Sequence, residues 1–245
     1  MADPLHPGVG EGRLGCAVIL RSEQMLRRPQ VVAGFTTRTL DGAPLDLGGA
    51  ATPEAWARAV VAVGLPGAGV ARARQVHGRA LLWAEAPGVV GEADALATRV
   101  PGLLLAVRVA DCVPVLLVGA GVVAVAHAGW RGLALGVLPA TVAALGAGPL
   151  QAAIGPHIGL EAYEVGEEVV EGIVASGVPA EAFVDRRRGP RPHVDLGAAA
   201  AYQLRAAGVQ AIETVGGCTA TEADRYFSFR ARQEPGRLAG LVGLR

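Results

Sequence analysis

The sequence predicts one α/β domain in which at least some of the strands pair antiparallel. Short apolar runs of strand length alternate along the 245 residues with longer segments of helical periodicity, and neither a repeat nor a linker interrupts them. Two of the runs are separated only by Gly119-Ala120-Gly121, which predicts a tight turn between antiparallel neighbours. A chain of this length can bury a sizeable core.

The domain proper is expected to span residues 31–245, behind an N-terminal segment of residues 1–30. Residues 1–12 are rich in glycine and proline, so we expect this start to be frayed. No apolar stretch precedes Leu14-Gly15-Cys16, so we expect neither a secretory nor a lipoprotein signal.

Strands are predicted where apolar residues alternate with polar ones or form short runs bounded by glycine. Residues 69–78 show the alternation and end at His77-Gly78. The predicted strands are 31–38, 69–78, 93–99, 103–112, 114–119, 121–129, 150–156, 209–217 and 236–244.

Helices are predicted from 3.6-residue periodicity and from capping residues. Thr52 is placed to cap a helix that has Pro53 in its first turn and stops at Gly64. Gly136 and Pro139 predict a kink in a second helix. The predicted helices are 52–64, 131–145, 164–177 and 194–208, the last capped by Asp195, and an exposed basic loop is expected at 185–192.

Composition excludes several classes of function. The 22 basic and 22 acidic residues cancel, so nothing indicates a nucleic-acid or membrane partner, and the longest uncharged stretch, about 14 residues, is too short to cross a bilayer. All basic residues are arginine, so arginine or main-chain amides must hold any anion. Three widely spaced cysteines form no disulfide framework, which favours a reducing, cytoplasmic setting.

Cys112 and His127 flank the predicted hairpin, and this placement brings a thiol and an imidazole together. The pairing of residues 113–118 with 122–126 puts the outer ends of the two strands side by side. Alone, Cys112 would be interpreted as a small buried hydrophobe and His127 as a core imidazole. His77, at the end of another strand, would complete a set of two histidines and one cysteine. Three protein ligands and one open position are typical of catalytic zinc, which activates water near neutral pH.

The remaining polar candidates are weaker. His6 lies in the frayed start, His193 is expected to be solvated, and His157 either lines a cleft or lies in an ordinary loop. Asp111 either supports the ligands through a bulge or forms a buried ion pair with Arg108 or Arg131. Arg131, near a helix N-terminus, either binds an anion or takes part in that pair.

Ten short motifs then show a resemblance to the bacterial YfiH/YlmD family, also called the laccase-domain or multicopper polyphenol oxidase family. The resemblance covers roughly residues 31–245 and is most specific in the middle third. In order the motifs are QVHG (75–78), ADAL (93–96), ADCVPVLL (110–117), AHAGWRG (126–132), IGPHIG (154–159), YEVG (163–166), VDL (194–196), CT (218–219), FSFR (227–230) and GRLA (236–239).

The resemblance implies a single layered α/β/β/α domain with mixed sheets, related to the fold of a toxin deamidase. It implies one zinc held by His77, Cys112 and His127. It also implies a purine nucleoside phosphorylase that transfers the glycosyl group of adenosine, inosine, guanosine or methylthioadenosine to phosphate, with adenosine deamination as a side activity.

Two features of the sequence bear on this resemblance. A multicopper oxidase needs about ten imidazoles, and five histidines cannot supply them, although copper can displace zinc from the same three ligands. Oxidase activity of copper-loaded protein would then not identify the native reaction. The sequence also departs from the family pattern at Asp46 and at Ala57-Arg58, which leaves the substrate pocket less defined.

The interpretation is a zinc-dependent phosphorylase acting on a nucleoside and phosphate. Arg38, Arg131 and Arg230 are the expected phosphate ligands, because a guanidinium fork suits phosphate. Gln75, in the first motif, is placed with the substrate-binding residues. Beside Cys112, the candidate catalytic residues are Asp111 and His157.

Two alternatives remain open. The chain could be a metal-free cysteine hydrolase or amidase with Cys112 as nucleophile and His127 as its base, in which case His77 has no role. It could also be a regulatory module with a structural zinc, but that needs a fourth ligand, and Cys218 is the other thiol of the domain.

Overall fold

Two six-stranded mixed sheets packed against each other form the centre of the fold. The structure, a computed structural model, describes residues 19–146 and 148–245. The strands in this part of the chain are β1 Ile19–Leu20, β2 Val31–Thr36, β3 Thr39–Leu40, β4 Ala43–Pro44, β5 Gly69–Arg74, β6 Leu81–Trp83, β7 Gly88–Glu92, β8 Ala95–Thr98, β9 Leu103–Val109, β10 Val113–Gly119, β11 Val122–Ala128, β12 Gln151–Ile154, β13 Val184–Asp185, β14 His193–Val194, β15 Ala211–Thr214 and β16 Leu238–Leu244.

The strand orders show two open sheets rather than a barrel. The first sheet runs β1-β2-β16-β9-β5-β7 and the second runs β15-β12-β10-β11-β8-β6, while β3–β4 and β13–β14 form two small ribbons. Each large sheet mixes parallel with antiparallel pairs, since β5 is parallel to β9 and β12 is parallel to β15. Apolar side chains of both sheets, such as Phe35 and Leu116, fill the layer between them.

Helices cover the outer faces of both sheets. The described helices are α1 Glu23–Leu26, α2 Pro53–Val63, α3 Trp130–Ala134, α4 Val137–Leu145, α5 Glu167–Ala175, α6 Leu196–Ala206 and α7 Phe229–Arg232. Helix α2 packs on the first sheet through Trp56, Val60 and Val63, whereas α3 to α6 pack on the second sheet. The layers are therefore α/β/β/α, and the predicted fold class is confirmed.

The hairpin predicted between Cys112 and His127 is present with the expected register. β10 and β11 pair antiparallel from Val113–Ala128 to Gly119–Val122, and Pro114 lies opposite His127. Gly121 takes a positive φ of 64° in the tight connection, a conformation that glycine adopts without strain. Cys112, one residue before β10, therefore lies beside the end of β11 that carries His127.

The helix caps follow the predicted pattern, and one helix is divided. The Thr52 side chain accepts a hydrogen bond from the N–H of Ala55, and Asp195 caps α6 in the same way. The segment predicted as one kinked helix, 131–145, consists of α3 and α4. They meet at Gly136, whose φ of 77° interrupts the helical hydrogen bonding.

Several expectations need correction. The strands predicted over 69–78 and 103–112 end at Arg74 and Val109, because the chain turns sharply before the residues of interest. His193 is half-buried in β14 rather than solvated, and its Nδ1 atom is buried without a hydrogen-bond partner among the described residues. The loop at 185–192 is largely exposed, as expected.

The expected boundary at residue 30 does not mark an edge of the packing. Strand β1 pairs with β2, and Met25 of α1 is buried in the layer between the sheets. The frayed start expected for residues 1–12, and with it His6, lies outside the described residues. Across residues 19–146 and 148–245, none of the helices has the length and apolar character needed to cross a membrane.

The layer between the sheets is expected to dominate stability. Leu116→Ala removes a fully buried side chain there and should lower the free energy of unfolding by about 2–5 kcal/mol. Val61→Ala, which changes a side chain on α2 that is 61% exposed, is the matched control and should stay within about 0.5 kcal/mol. Urea unfolding measures both, and equal effects would contradict this account of the core.

Candidate metal and substrate site

Three chain segments bring His77, Cys112 and His127 together at one end of the two sheets. One ligand atom from each side chain lies within 4.8 Å of the other two. The rings of His77 and His127 meet edge to face, with 4.8 Å between their centroids. His127 is buried on β11, Cys112 is half-buried, and His77 is exposed in the loop after β5.

The Asp94 carboxylate positions both histidines. It is 1% exposed and accepts hydrogen bonds from the main-chain N–H groups of Val76 (3.1 Å), His77 (3.0 Å) and Gly78 (2.6 Å). The Nδ1 atom of His127 lies 2.7 Å from its Oδ1 atom. An ionised carboxylate can only accept, so Nδ1 of His127 carries the proton that it donates to Asp94, and Nε2 is the ring nitrogen left for a metal ion or another partner.

These contacts also determine the ionisation of Asp94. Burial alone would raise the pKa of its carboxyl, but the hydrogen bonds from His127 and Gly78 outweigh burial and lower the pKa. The left-handed backbone of His77, with a φ of 59°, turns three successive N–H groups of this loop toward the carboxylate.

Cys112 and His127 form a polar pair in a buried setting. Burial would raise the pKa of the Cys112 thiol, but the imidazoles of His127 and His77 outweigh it and lower the pKa to about 6. Burial likewise would lower the pKa of His127, whereas the Cys112 thiolate and Asp94 raise it to about 9. The thiol is thus easily deprotonated, which is the state that both a metal ligand and a nucleophile require.

Gly129 leaves the space that these side chains occupy. A Cβ atom at this position would stand 2.9 Å from Sγ of Cys112 and 3.1 Å from Cδ2 of His77. Its φ of −70° is open to any residue, so the need for glycine here is steric and comes from the ligands themselves.

The residues present fit a metal ion. Two imidazoles and one thiolate are donors that zinc and copper both accept. Ligand atoms around a tetrahedral zinc stand about 3.4–3.6 Å apart, so atoms within 4.8 Å of one another need only small shifts. A four-coordinate metal held by these three donors would keep one position open for a ligand from the adjoining cavity. The structure thus holds a candidate His-Cys-His metal site.

A cavity of about 500 Å³ opens beside these three residues. Its size lies within the range usual for small-molecule sites. Guanidinium groups, the candidate metal ligands and one aromatic ring share its wall. The lining residues are Gly49, Gln75, His77, Arg108, Val109, Ala110, Cys112, His127, Phe229, Pro235 and Arg237.

Asp111 does not form the ion pair that was considered for it. Its Oδ1 atom accepts a hydrogen bond from the Thr219 hydroxyl at 2.6 Å, and its Oδ2 atom accepts one from the main-chain N–H of Arg230 at 2.6 Å. The chain has left the strand here, since φ of Asp111 is 86°. The expected pair with Arg108 or Arg131 is therefore wrong. Asp111 instead holds the C-terminal segment that carries Phe229 against the residue next to Cys112.

Two of the arginines expected to bind phosphate are engaged elsewhere. Arg38 forms an ion pair with Glu234 at 3.2 Å, stacks on Phe227 and donates a hydrogen bond to the carbonyl of Ala223. Arg230 stacks on Tyr163 and donates to the carbonyl of Glu164. Neither side chain is among the residues that line the cavity.

The other proposed residues divide between the cavity and its surroundings. Gln75 lines the cavity, but both ends of its amide bond the main chain of Arg108, so it extends the pairing of β5 with β9. Arg131 is exposed, with its guanidinium over Trp130. His157 bonds the carbonyl of Gly155 through Nδ1 and lies against Gly197 at the start of α6, away from the lining.

Asp94, Phe229 and Arg237 are site residues that the sequence reasoning missed, and Arg108 was considered only as an ion-pair partner. The signal for Asp94 was an acid directly before a short apolar strand. For Arg108 it was a charged residue inside a strand that is otherwise apolar. Phe229 is 52% exposed at the cavity, which is unusual for a large aromatic side chain.

The sequence departs from the family pattern at Asp46 and Ala57-Arg58, and the side chains of Asp46 and Arg58 stabilise the local structure there. The Oδ1 atom of Asp46 accepts hydrogen bonds from the main-chain N–H groups of Gly48 (2.7 Å) and Arg237 (2.9 Å). The Arg58 guanidinium bonds the carbonyls of Leu40 and Pro44 and so secures the β3–β4 ribbon. Asp46 thus helps to place Arg237 at the cavity.

Comparisons with known proteins identify the family of the chain. The family model described as multi-copper polyphenol oxidoreductase laccase matches residues 50–245, so the chain belongs to this family. Purine nucleoside phosphorylase of Deinococcus radiodurans is 43% identical over 195 residues, which are 77% of this chain and 75% of that protein. The crystal structure of YlmD from Geobacillus stearothermophilus superposes with a TM-score of 0.80 at 30% identity, covering 89% of this chain and 93% of YlmD.

A further relative carries a different name. Adenosine deaminase RL5, from an unknown prokaryotic organism, is 42% identical over 147 residues, or 56% of each protein. The resemblance to the YfiH/YlmD family is confirmed, and the relatives carry the names of two activities on nucleosides.

The role of Asp94 can be tested directly. Asp94→Asn should weaken Zn²⁺ binding about 10- to 100-fold, because an amide NH₂ cannot accept the bonds that orient His77 and His127. Competition with a chromogenic chelator measures the affinity. Asp224→Asn changes an exposed acid and is the matched control. Wild-type affinity in a folded Asp94→Asn protein would show that Asp94 does not orient the donors.

Proposed function

We propose that this chain is a zinc-dependent purine nucleoside phosphorylase. The observation that carries the proposal is one cavity in which a His-Cys-His donor set, two guanidinium groups and an exposed phenyl ring meet. A nucleoside phosphorylase needs a place for a flat base, a place for phosphate and a means to stabilise charge. The name of the Deinococcus relative supports the same activity.

Each part of the cavity has a defined task in this reaction. Phosphorolysis forms a bond between a phosphate oxygen and C1′ of the sugar, breaks the bond between C1′ and the base nitrogen, and releases the base with a proton. The sugar becomes cation-like on the way. Phe229 offers a flat apolar surface for the purine. A guanidinium offers a fork of donors that matches phosphate oxygens.

The chain's own residues hold and orient the metal. His77, Cys112 and His127 are the proposed zinc ligands, Asp94 fixes the tautomer of His127, and Gly129 keeps the space beside the thiolate free. When bound, zinc supplies positive charge that polarises substrate oxygen or nitrogen atoms. The proposed substrates are adenosine, inosine, guanosine and methylthioadenosine, with deamination of adenosine as a side activity; the deaminase relative supports the latter.

A second candidate, a cysteine hydrolase or amidase, is favoured by one observation. Cys112, His127 and Asp94 are linked in series, with the thiolate beside the imidazole and the imidazole 2.7 Å from the carboxylate. This is the order of nucleophile, base and orienting acid in thiol enzymes. In that mechanism no metal takes part, and His77 is dispensable.

Metal content separates the two candidates. Protein purified without added metal should contain about one zinc per chain by mass spectrometry, and Cys112→Ser should lose it because a hydroxyl is a far poorer ligand. Cys218→Ser is the matched control, since that thiol accepts a hydrogen bond from Gly159 away from the trio. Copper in place of zinc would redefine the cofactor, and a metal-free, active wild type would favour the hydrolase.

The His77→Ala variant tests the reaction itself. We expect wild type to convert inosine and adenosine only when phosphate is present, and His77→Ala to lose metal and activity together, by a factor of at least about 100. Chromatographic detection of free base and sugar phosphate measures the conversion. Activity retained in His77→Ala, or conversion that is independent of phosphate, would contradict the phosphorylase.

A further inference from the structure

Three arginines form a cluster, of which Arg108 and Arg237 line the cavity, and none of them was expected there from the sequence. Arg108 is on β9, Arg72 is on the neighbouring strand β5, and Arg237 immediately precedes β16. In the sheet register, Arg72 lies opposite Ala106, and Arg108 lies opposite Ala239. Because side chains alternate along a strand, all three project from the same face of the first sheet, the face that carries α2.

These guanidinium groups lack acidic partners. Within residues 19–146 and 148–245, no carboxylate lies within 4.0 Å of the guanidinium nitrogens of Arg72, Arg108 or Arg237, although other arginines do pair, such as Arg74 with Glu92. In the same residues the Arg108 guanidinium makes no hydrogen bond, and the buried Nε of Arg72 has no partner. Asp46 accepts the main-chain N–H of Arg237 rather than its guanidinium.

The cluster is costly without a further negative charge. Burial lowers the pKa of the Arg108 guanidinium, and the neighbouring charges of Arg72 and Arg237 lower it further. Like charges held together in a half-buried site repel each other, and in residues 19–146 and 148–245 no carboxylate pairs with these groups to offset the repulsion. Because the chain as a whole has as many acidic as basic residues, the imbalance is local to this wall of the cavity.

We propose that Arg108 and Arg237, with Arg72 behind them, form a subsite that binds a phosphate group next to Cys112. The two front arginines line the same cavity as the candidate metal ligands, so a bound phosphate would lie between the guanidinium groups and those ligands. A dianion offsets more of the threefold positive charge than a carboxylate does, and its oxygens suit two guanidinium forks. The statement that free phosphate is the co-substrate rests on the proposed function. The existence of the phosphate subsite does not.

Arg237 is held ready for this role by the main chain around it. Its Nη1 atom donates hydrogen bonds to the carbonyls of Glu234, Pro235 and Gly236, so the guanidinium has little rotational freedom left. Its guanidinium also lies 5.9 Å from the ring centroid of Phe229. The phosphate subsite therefore adjoins the surface proposed for the base. Rigid placement reduces the entropy lost when an anion binds.

The direct test is binding of inorganic phosphate to the full-length protein by titration calorimetry. Arg108→Gln and Arg237→Gln should each weaken phosphate binding about 10- to 100-fold, the range for loss of a hydrogen bond to a charged group. Arg108→Lys keeps the charge without the fork and should lie between wild type and Arg108→Gln. The control Arg187→Gln removes an exposed arginine that pairs only with Asp185, and should bind like wild type.

Two further measurements show whether the subsite binds free phosphate or the phosphate group of a nucleotide. With free phosphate as co-substrate, the KM for phosphate should rise in Arg108→Gln by the factor found calorimetrically, while the KM for inosine changes less than about twofold. If the subsite instead takes the 5′-phosphate of a nucleotide, adenosine monophosphate should bind more tightly than adenosine, and Arg108→Gln should remove that preference.

The possible failures are distinguishable. Unchanged phosphate binding in folded Arg108→Gln and Arg237→Gln proteins would overturn the subsite, even if wild type cleaves inosine with phosphate. Phosphate binding that depends on Arg108 in a protein that cleaves no nucleoside would uphold the subsite and overturn the proposed function. If Arg108→Gln fails to fold, Arg237→Gln and Arg108→Lys provide the same comparison.

Discussion

The buried carboxylate of Asp94 joins the two sheets at the site, and the placement of the candidate metal ligands depends on it. Asp94 lies between β7 of the first sheet and β8 of the second. Its carboxylate accepts hydrogen bonds from the loop that carries His77 and from the imidazole of His127. A buried carboxylate is tolerated only when donors surround it, and here four donors do so. The charge that is expensive to bury thus positions the two histidines relative to each other.

A second carboxylate performs a similar task on the other side of Cys112. Asp111 is 7% exposed and binds Thr219 and the main chain of Arg230, so the C-terminal segment is held against the strand that leads to the thiol. Phe229 and Arg237 reach the cavity from this segment. Two acids that do not themselves line the cavity therefore hold the candidate metal ligands and the segment that carries Phe229 and Arg237.

The parts of the site that could be predicted from sequence are those determined by local geometry. A tight turn with a glycine sets the register of β10 and β11, so the approach of Cys112 to His127 follows from the hairpin alone. The arginines show the limit of this reasoning. Arg38 was an expected phosphate ligand yet pairs with Glu234, whereas Arg108 lies in an apolar strand yet faces the cavity. That difference arises from contacts between residues nearly 200 positions apart, which no local pattern contains.

The cluster of Arg72, Arg108 and Arg237 also bears on the choice between the two nucleoside reactions that the names of the relatives suggest. Hydrolytic deamination uses water to replace the amino group of the base with oxygen, releases ammonia and consumes no anion. A metal site and an aromatic surface for the base would therefore suffice for it. Three guanidinium groups without acidic partners would then repel each other, at a cost to stability without benefit to the reaction. Phosphorolysis needs a dianion at the sugar carbon, which neutralises these same groups as it binds. The charge distribution of the cavity, rather than the candidate metal ligands, therefore supports the proposal that phosphate is the second substrate.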